Sequence, residues 1–434
     1  MSALRRQFLA DKSKPFTFRP PKNNRLLIRL TKRLLPLIMR RSRKVVEVEV
    51  SEEDLERLRE LEGQRVILTP NHSAGTEPLI LFHLSKLLDQ EFNYLAAKEV
   101  FEHPFPWGWL MQRLGVYSIV RGTVDRDCCR ATCQLLKEGK RWLVIFPEGD
   151  ICWQNDTVMP FQQGVAQFGF WTCADLVKQG ELPPLYFVPI AIKYVYLRDM
   201  RPEIERSLKR LENKLLSKVS KSASPSPSQP LTRYARLRRI GEAVVIANEK
   251  KFSVRPPQDA DLNDRIQHVR EVILSRVEEV LGVFTRPEQP MLWRIRDLFN
   301  AFDRINYGES EGPEYERELY EDRQQEAQTF YDDLVRVLHF VAIYDGYVRE
   351  TMTAERFLDV LGRIEVEVFK KRRVWGPRKA VMKIGKPLNL GDYFPHYQTD
   401  KRGALQQVTT SLESSVQQML DEMSHLTMAI ESLG

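Results

Sequence analysis

The stretch Gln64-Arg65-Val66-Ile67-Leu68-Thr69-Pro70-Asn71-His72-Ser73-Ala74-Gly75-Thr76-Glu77-Pro78 carries the fold in miniature. A short apolar, β-branched run over Gln64–Thr69 predicts a strand, and Pro70 closes it. Gly75 marks a turn, and the apolar spacing of Pro78–Leu88 predicts a helix. Similar runs recur at Phe92–Ala97, Trp142–Phe146 and Leu185–Ile192, with a second helical stretch at Arg126–Glu138. Repeated strand–helix alternation predicts an α/β fold, a mixed sheet flanked by helices.

Composition sets the outer bounds. The chain has 434 residues, of which 42% are hydrophobic, enough for a sizeable core and too many for wholesale disorder. Lys and Arg number 66 against 59 Asp and Glu, a formal net charge of +7 that suits an anionic partner. No run approaches the roughly 18–20 apolar residues of a spanning helix. The first residues, MSALRRQFLADKSKPF, lack an apolar signal core, so secretion is not expected. Five cysteines (Cys128, Cys129, Cys133, Cys152, Cys173) show no CxxC spacing, so neither a disulfide framework nor a zinc site is expected, and a reducing cytosol is.

Outside the α/β segment the pattern changes. From Lys22 to Lys44 there are nine basic residues and no acidic one. Within it, NRLLIRLTKRLL has helical spacing, with Leu26, Leu27, Leu30 and Leu34 on one side and Arg25, Arg29, Lys32 and Arg33 on the other. Pro36 should end or kink that helix. Such a helix either lies in an anionic bilayer surface or docks on the protein's own core with its basic face solvated. Residues 201–377 read as a helical insertion. Helices are expected at Ile204–Val219, Leu231–Phe252, Asp264–Phe284 and within 314–362, with a Ser/Pro linker at 220–230. The resulting domain reading is 1–50 as a basic amphipathic segment, 51–200 as the α/β core and 201–377 as the insertion. Residues 378–434 supply a closing core strand at Ala380–Lys386 and a C-terminal helix around Leu405–Met428.

The chemistry sits in the turn. His72 and Glu77 are five residues apart at a helix start, so the carboxylate can hold the imidazole through Nδ1–H and leave Nε2 to take a proton from a hydroxyl. No GxSxG occurs and no cysteine adjoins a histidine, so direct attack by an external hydroxyl fits better than a covalent intermediate. Phe146-Pro147-Glu148-Gly149-Asp150 supplies a second, glycine-marked turn after a strand, where a carboxylate can orient a polar headgroup. Leu114–Arg121 is a strand-like run ending in a guanidinium suited to phosphate. The aromatic stretch Phe101–Trp109 either meets lipid or packs as an ordinary loop.

Taken in order, NHxxxxE, GVYSIVR, FPEG and VPI resemble the four blocks of the glycerolipid acyltransferase family, best represented by 1-acylglycerol-3-phosphate acyltransferase. His72 to Arg121 is 49 residues, Arg121 to Glu148 is 27 and Glu148 to Pro189 is 41, spacings similar to that family's. The closing IGKPL (384–388) resembles its last core strand. The likeness covers about 60–200 and 378–392. It implies an O-acyltransferase that moves a fatty acyl group from acyl-CoA or acyl-carrier protein to the hydroxyl of a lysophospholipid such as 1-acylglycerol-3-phosphate.

The resemblance also implies roles. His72 is the general base and Glu77 its orienting partner. Arg121 binds the acceptor phosphate with help from Lys98, and Glu148 and Gly149 shape the acceptor pocket. Pro189 lies in the apolar block near the acyl chain. No metal or organic cofactor beyond the acyl carrier is implied. The enzyme would sit on the inner, cytoplasmic face of a membrane, with an anionic membrane surface as partner and no nucleic acid. Two departures stand out. Glu77 occupies a position usually held by Asp, and Asp150-Ile151-Cys152 follows FPEG where Thr-Arg-Ser is common. The second leaves room for a non-phosphate acceptor, or for a catalytically silent lipid-binding scaffold on the same fold.

Overall fold

A strand buried on both faces must pair on both edges, and the apolar runs of this chain do so in one sheet. The computed structural model describes residues 17–427 except 122–124, 152, 181–182, 217–230, 257, 285–288, 290, 308–329, 332 and 338–352, together with Ile430. The described residues divide into two units, one built from 17–197 with 376–426 and the other from 198–375.

The first unit is a mixed eight-stranded sheet. Its strands are β1 (Val45–Val50), β2 (Arg65–Pro70), β3 (Phe92–Ala97), β4 (Val116–Ile119), β5 (Trp142–Val144), β6 (Leu185–Tyr196), β7 (Arg378–Ile384) and β8 (Leu388–Asn389). The order is β1-β7-β6-β2-β5-β3-β4, with β8 beside β6. All neighbours are parallel except the β6–β7 and β6–β8 pairs. The chain leaves this unit after β6 and returns at β7, and the Leu197 N–H donates to the Pro377 carbonyl at the point of return.

Helices cover both faces. On one face lie α1 (Arg25–Ile38), α2 (Glu52–Arg59) and α3 (Glu77–Leu87); on the other lie α5 (Arg126–Glu138), α6 (Gly164–Lys178), α12 (Phe394–Thr399) and α13 (Lys401–Glu422). The short α4 (Trp107–Arg113) precedes β4. Strand alternation decides which core each residue enters: Val66 and Leu68 join the first, Ile67 the second. Local chemistry sets the helix ends. Asp125 accepts from the Cys128 N–H to start α5, and Gly139 ends it in the left-handed region. Cys128, Cys129, Cys133 and Cys173 are free thiols, and Cys152 lies outside the described residues.

The second unit is helical, with α7 (Arg201–Leu215), α8 (Arg233–Phe252), α9 (Leu262–Leu281), α10 (Met291–Tyr307) and α11 (Ala354–Phe369). Its own core joins Val245, Ile266, Val269, Ile273, Val277, Ile295 and Leu298. Asp261 and Asp264 form a capping box that starts α9. The linker at 220–230, and much of the helical pattern expected within 314–362, lie outside the described residues.

Three elements differ from the sequence reading. Pro36 does not end α1: the helix runs two residues past it and passes into a π-helical turn, Met39–Arg43. A proline costs a helix one N–H, and this one is tolerated within a single turn of the end. β1 and α4 were not anticipated, since VVEVEV is a short edge strand and FPWGW has no helical period. Of the two placements open for α1, docking on the core through its leucine-rich side is not the one found: Ile28, Leu35 and Met39 are buried, whereas Leu26, Leu30, Leu34 and Leu37 face outward. Leu35→Ala is therefore expected to cost about 2–5 kcal/mol in urea unfolding of the full chain. Leu34→Ala, one residue away but largely exposed, should stay within about 0.5 kcal/mol.

Candidate active site

The carboxyl ends of parallel strands are where an open α/β sheet holds its ligands, because the loops there are free to carry function. Four adjacent strands, β2, β5, β3 and β4, are each followed by a residue singled out in the sequence. His72 follows β2, Glu148 follows β5, Lys98 follows β3 and Arg121 follows β4. Topology alone thus brings four separated motifs to one end of the sheet.

The turn after β2 is built around one buried carboxylate. Glu77 opens α3 with no solvent exposure. Its Oε2 meets His72 Nδ1 at 2.8 Å and accepts from the Gly75 N–H at 2.8 Å. Its Oε1 accepts from the Ala74 N–H at 2.8 Å, the Ser73 hydroxyl at 3.2 Å and the Tyr194 hydroxyl at 2.8 Å. Burial alone pushes the Glu77 carboxyl up. The bond and charge of His72, the backbone N–H groups and Tyr194 outweigh it and bring the group down to about 2. An ionised carboxylate can only accept, so Nδ1 of a neutral His72 carries the proton and Nε2 keeps its lone pair. The His72 ring stacks on Phe146 at 4.3 Å, and its side chain stays 16% exposed. Gly75 adopts φ +71, and a Cβ there would lie 2.9 Å from the Ile151 side chain, so this turn and the one after β5 are closely packed.

Two asparagines hold the neighbouring strand in place. Asn71 exchanges two bonds with the backbone of Ile192, at 2.7 and 3.1 Å, and Asn155 does the same with Tyr194, at 2.8 Å each. Side-chain amides thereby continue the ladder where β2 has already ended, which fixes the register that points Tyr194 at Glu77. Arg378, from β7, lies 4.0 Å over the Tyr194 ring and donates to the Thr76 hydroxyl. Burial first, and the Glu77 charge second, push the Tyr194 phenol well up, so it remains a donor. Tyr194 and Arg378 were not found from sequence. The available signal was a hydroxyl in the buried face Ile190, Ile192, Tyr194, which must find a partner.

The other expected residues take varied positions. Glu148 is buried, and its oxygens accept from the His72 N–H at 2.5 Å and the Met159 N–H at 2.9 Å. A carboxylate aimed at these backbone N–H groups positions the His72 loop. Gly149, at φ +73, makes the turn, and a Cβ there would collide with the Gln162 side chain. Arg121 donates to the Gly149 carbonyl at 3.0 Å and to Glu99 at 3.2 Å, with Asp150 at 3.6 Å. It therefore joins the FPEG turn, held between two carboxylates. Lys98 is buried with its ammonium 3.6 Å from Glu102. Pro189 lies near this end as well. It sits within β6 in register with Thr69, and its ring abuts Gly385, whose own neighbours are Ser415 and Met419 of α13.

A sequence model of the family described as Acyltransferase matches residues 47–193, from β1 into β6. Every candidate site residue named from sequence lies within that segment. No curated protein matches the chain.

Glu77 also makes a pH prediction. Its folded-state value lies below its unfolded value, so the stability it adds is present above about pH 4.5 and is lost as pH falls toward about 2. The stability gap between wild type and Glu77→Gln in urea unfolding should be constant near neutrality and shrink between those limits. A gap that does not change with pH over that range contradicts the assignment.

Proposed function

We propose that the segment 47–193, which matches the Acyltransferase family model, transfers a fatty acyl group from an acyl thioester, acyl-CoA or acyl-carrier protein, to a lipid hydroxyl. The observation that carries this reading is the 2.8 Å contact between His72 Nδ1 and a Glu77 carboxylate held ionised. Nε2 of His72 has no hydrogen-bond partner among the described residues, and its side chain keeps an opening to solvent.

In the proposed reaction Nε2 accepts the hydroxyl proton as the oxygen attacks the thioester carbonyl. The tetrahedral adduct then expels the thiolate, which takes the proton back from the imidazolium. One ester and one thiol form, and one thioester and one hydroxyl are consumed. Glu77 stabilises the transient imidazolium without taking its proton, as expected of a carboxylate this acidic. Phe146 holds the ring plane, and Glu148 holds the backbone from which the ring projects.

The acceptor we infer is a lysophospholipid such as 1-acylglycerol-3-phosphate, its phosphate taken by Arg121. The guanidinium would exchange its looser contact, Asp150 at 3.6 Å, for the phosphate. A second reading has an observation of its own. Glu99 and Asp150 both face Arg121, and such a pair repels a phosphate and welcomes a headgroup of hydroxyls or an amine.

His72→Ala should lower kcat by about 10²–10⁴-fold or more, measured as thiol release with a lipid acceptor, while the melting temperature is kept. Turnover near the wild-type rate would overturn the reading. Asp150→Asn separates the two acceptors. It should raise kcat/KM for a phosphate-bearing acceptor if Arg121 binds phosphate. It should lower kcat/KM for a polyol or amine acceptor if the carboxylate does the binding.

A further inference from the structure

Helix α1 presents two faces with different destinations. Ile28 and Leu35, with Met39 just beyond, are buried, and α1 packs on α3. Lys32, which the sequence places on the charged side, instead reaches inward and donates to the carbonyls of Ser85 and Gln90 at 2.9 and 2.6 Å. Those contacts seat the helix on the unit that carries the candidate site. The remaining apolar residues have no such use. Leu26, Leu30, Leu34 and Leu37 recur at intervals of four, four and three residues, which at 100° per residue is one continuous stripe. They are 76%, 52%, 46% and 51% exposed.

A soluble surface rarely keeps four aligned leucines in water. What surrounds them identifies the occupant. Arg25, Arg29 and Arg33 lie along the same helix, and Arg40, Arg41, Arg43 and Lys44 follow it at once. The segment from Lys22 to Lys44 has no acidic residue. An apolar stripe with arginines along one side of it, and four more cations just beyond the helix, matches a medium that is apolar inside and anionic at its rim.

A second exposed apolar group adjoins the start of α1. Phe105, Trp107 and Trp109 are exposed, and Arg113 lies 3.9 Å over the Trp109 ring. The N–H groups of Lys22 and Asn24 donate to the carbonyls of Gln112 and Arg113, so the end of α4 is hydrogen-bonded to the entry of α1. Tryptophan is the side chain best suited to a boundary between hydrocarbon and water.

We propose that the Leu26–Leu37 stripe of α1, with its flanking arginines and the Phe105–Trp109 tip, is a docking surface for an anionic phospholipid bilayer. The leucines enter the acyl region, the guanidiniums meet the phosphates, and α1 lies in the plane of the interface. The surface stands on exposure and charge alone, so it is tested without reference to acyl transfer.

The test is co-sedimentation of the full chain with vesicles of phosphatidylcholine, alone or with a third phosphatidylglycerol. Binding should require the anionic lipid and weaken with salt. Leu30→Glu/Leu34→Glu should lower the partition coefficient by about tenfold or more with an unchanged melting temperature. His72→Ala should bind as wild type does. A readout that needs no surface variant is quenching of wild-type tryptophan fluorescence by brominated acyl chains, lost in Trp107→Phe/Trp109→Phe. Undiminished binding of the glutamate variant overturns the proposal. So does a wild-type protein that self-associates through this stripe and ignores vesicles, or one that binds oligonucleotides in preference to anionic vesicles.

Discussion

A carboxylate taken wholly out of water has to be given back what water supplied, and nearly every feature of the site follows from doing so for Glu77. Five donors converge on its two oxygens: His72 Nδ1, the N–H groups of Ala74 and Gly75, and the hydroxyls of Ser73 and Tyr194. Left unsatisfied, a buried charge of this kind costs several kcal/mol, on the order of the whole stability of a domain. The donors therefore cannot drift. The imidazole is one of them, and so its orientation is set by the same demand that folds the turn.

That demand reaches outward through the sheet. Tyr194 can serve Glu77 only if β6 keeps its register beyond the point where β2 ends, and Asn71 and Asn155 supply the missing ladder there. Arg378 covers the Tyr194 ring from β7, a strand that lies some 180 residues later in the chain and comes back only after the helical unit. A segment that is distant in sequence thus closes the site from behind. Glu148 performs the corresponding task on the other side, tying the His72 backbone to the stretch that follows β5.

Much of this was legible in the sequence, for identifiable reasons. The strand–turn–helix unit at 64–88 was readable because its period changes at Pro70 and its turn is marked by Gly75. The pairing of His72 with Glu77 was readable because it is local. Tyr194 and Arg378 were not, because their role depends on which strands become neighbours. The bonds that Glu148 makes to the His72 and Met159 N–H groups were not legible, because they depend on how the stretches after β2 and β5 fold together. In α1 the leucines dominate the amphipathic pattern, yet the core took Ile28 and Leu35. Periodicity finds faces, and only packing says which face is used.

The most direct measurement of the central claim is nitrogen NMR of the chain labelled in its histidines, at a pH where His72 is neutral. The account predicts that Nδ1 bears the proton and Nε2 is the unprotonated, pyridine-like nitrogen, and that this preference weakens in Glu77→Gln. A protonated Nε2, or a tautomer indifferent to the Glu77 substitution, contradicts it.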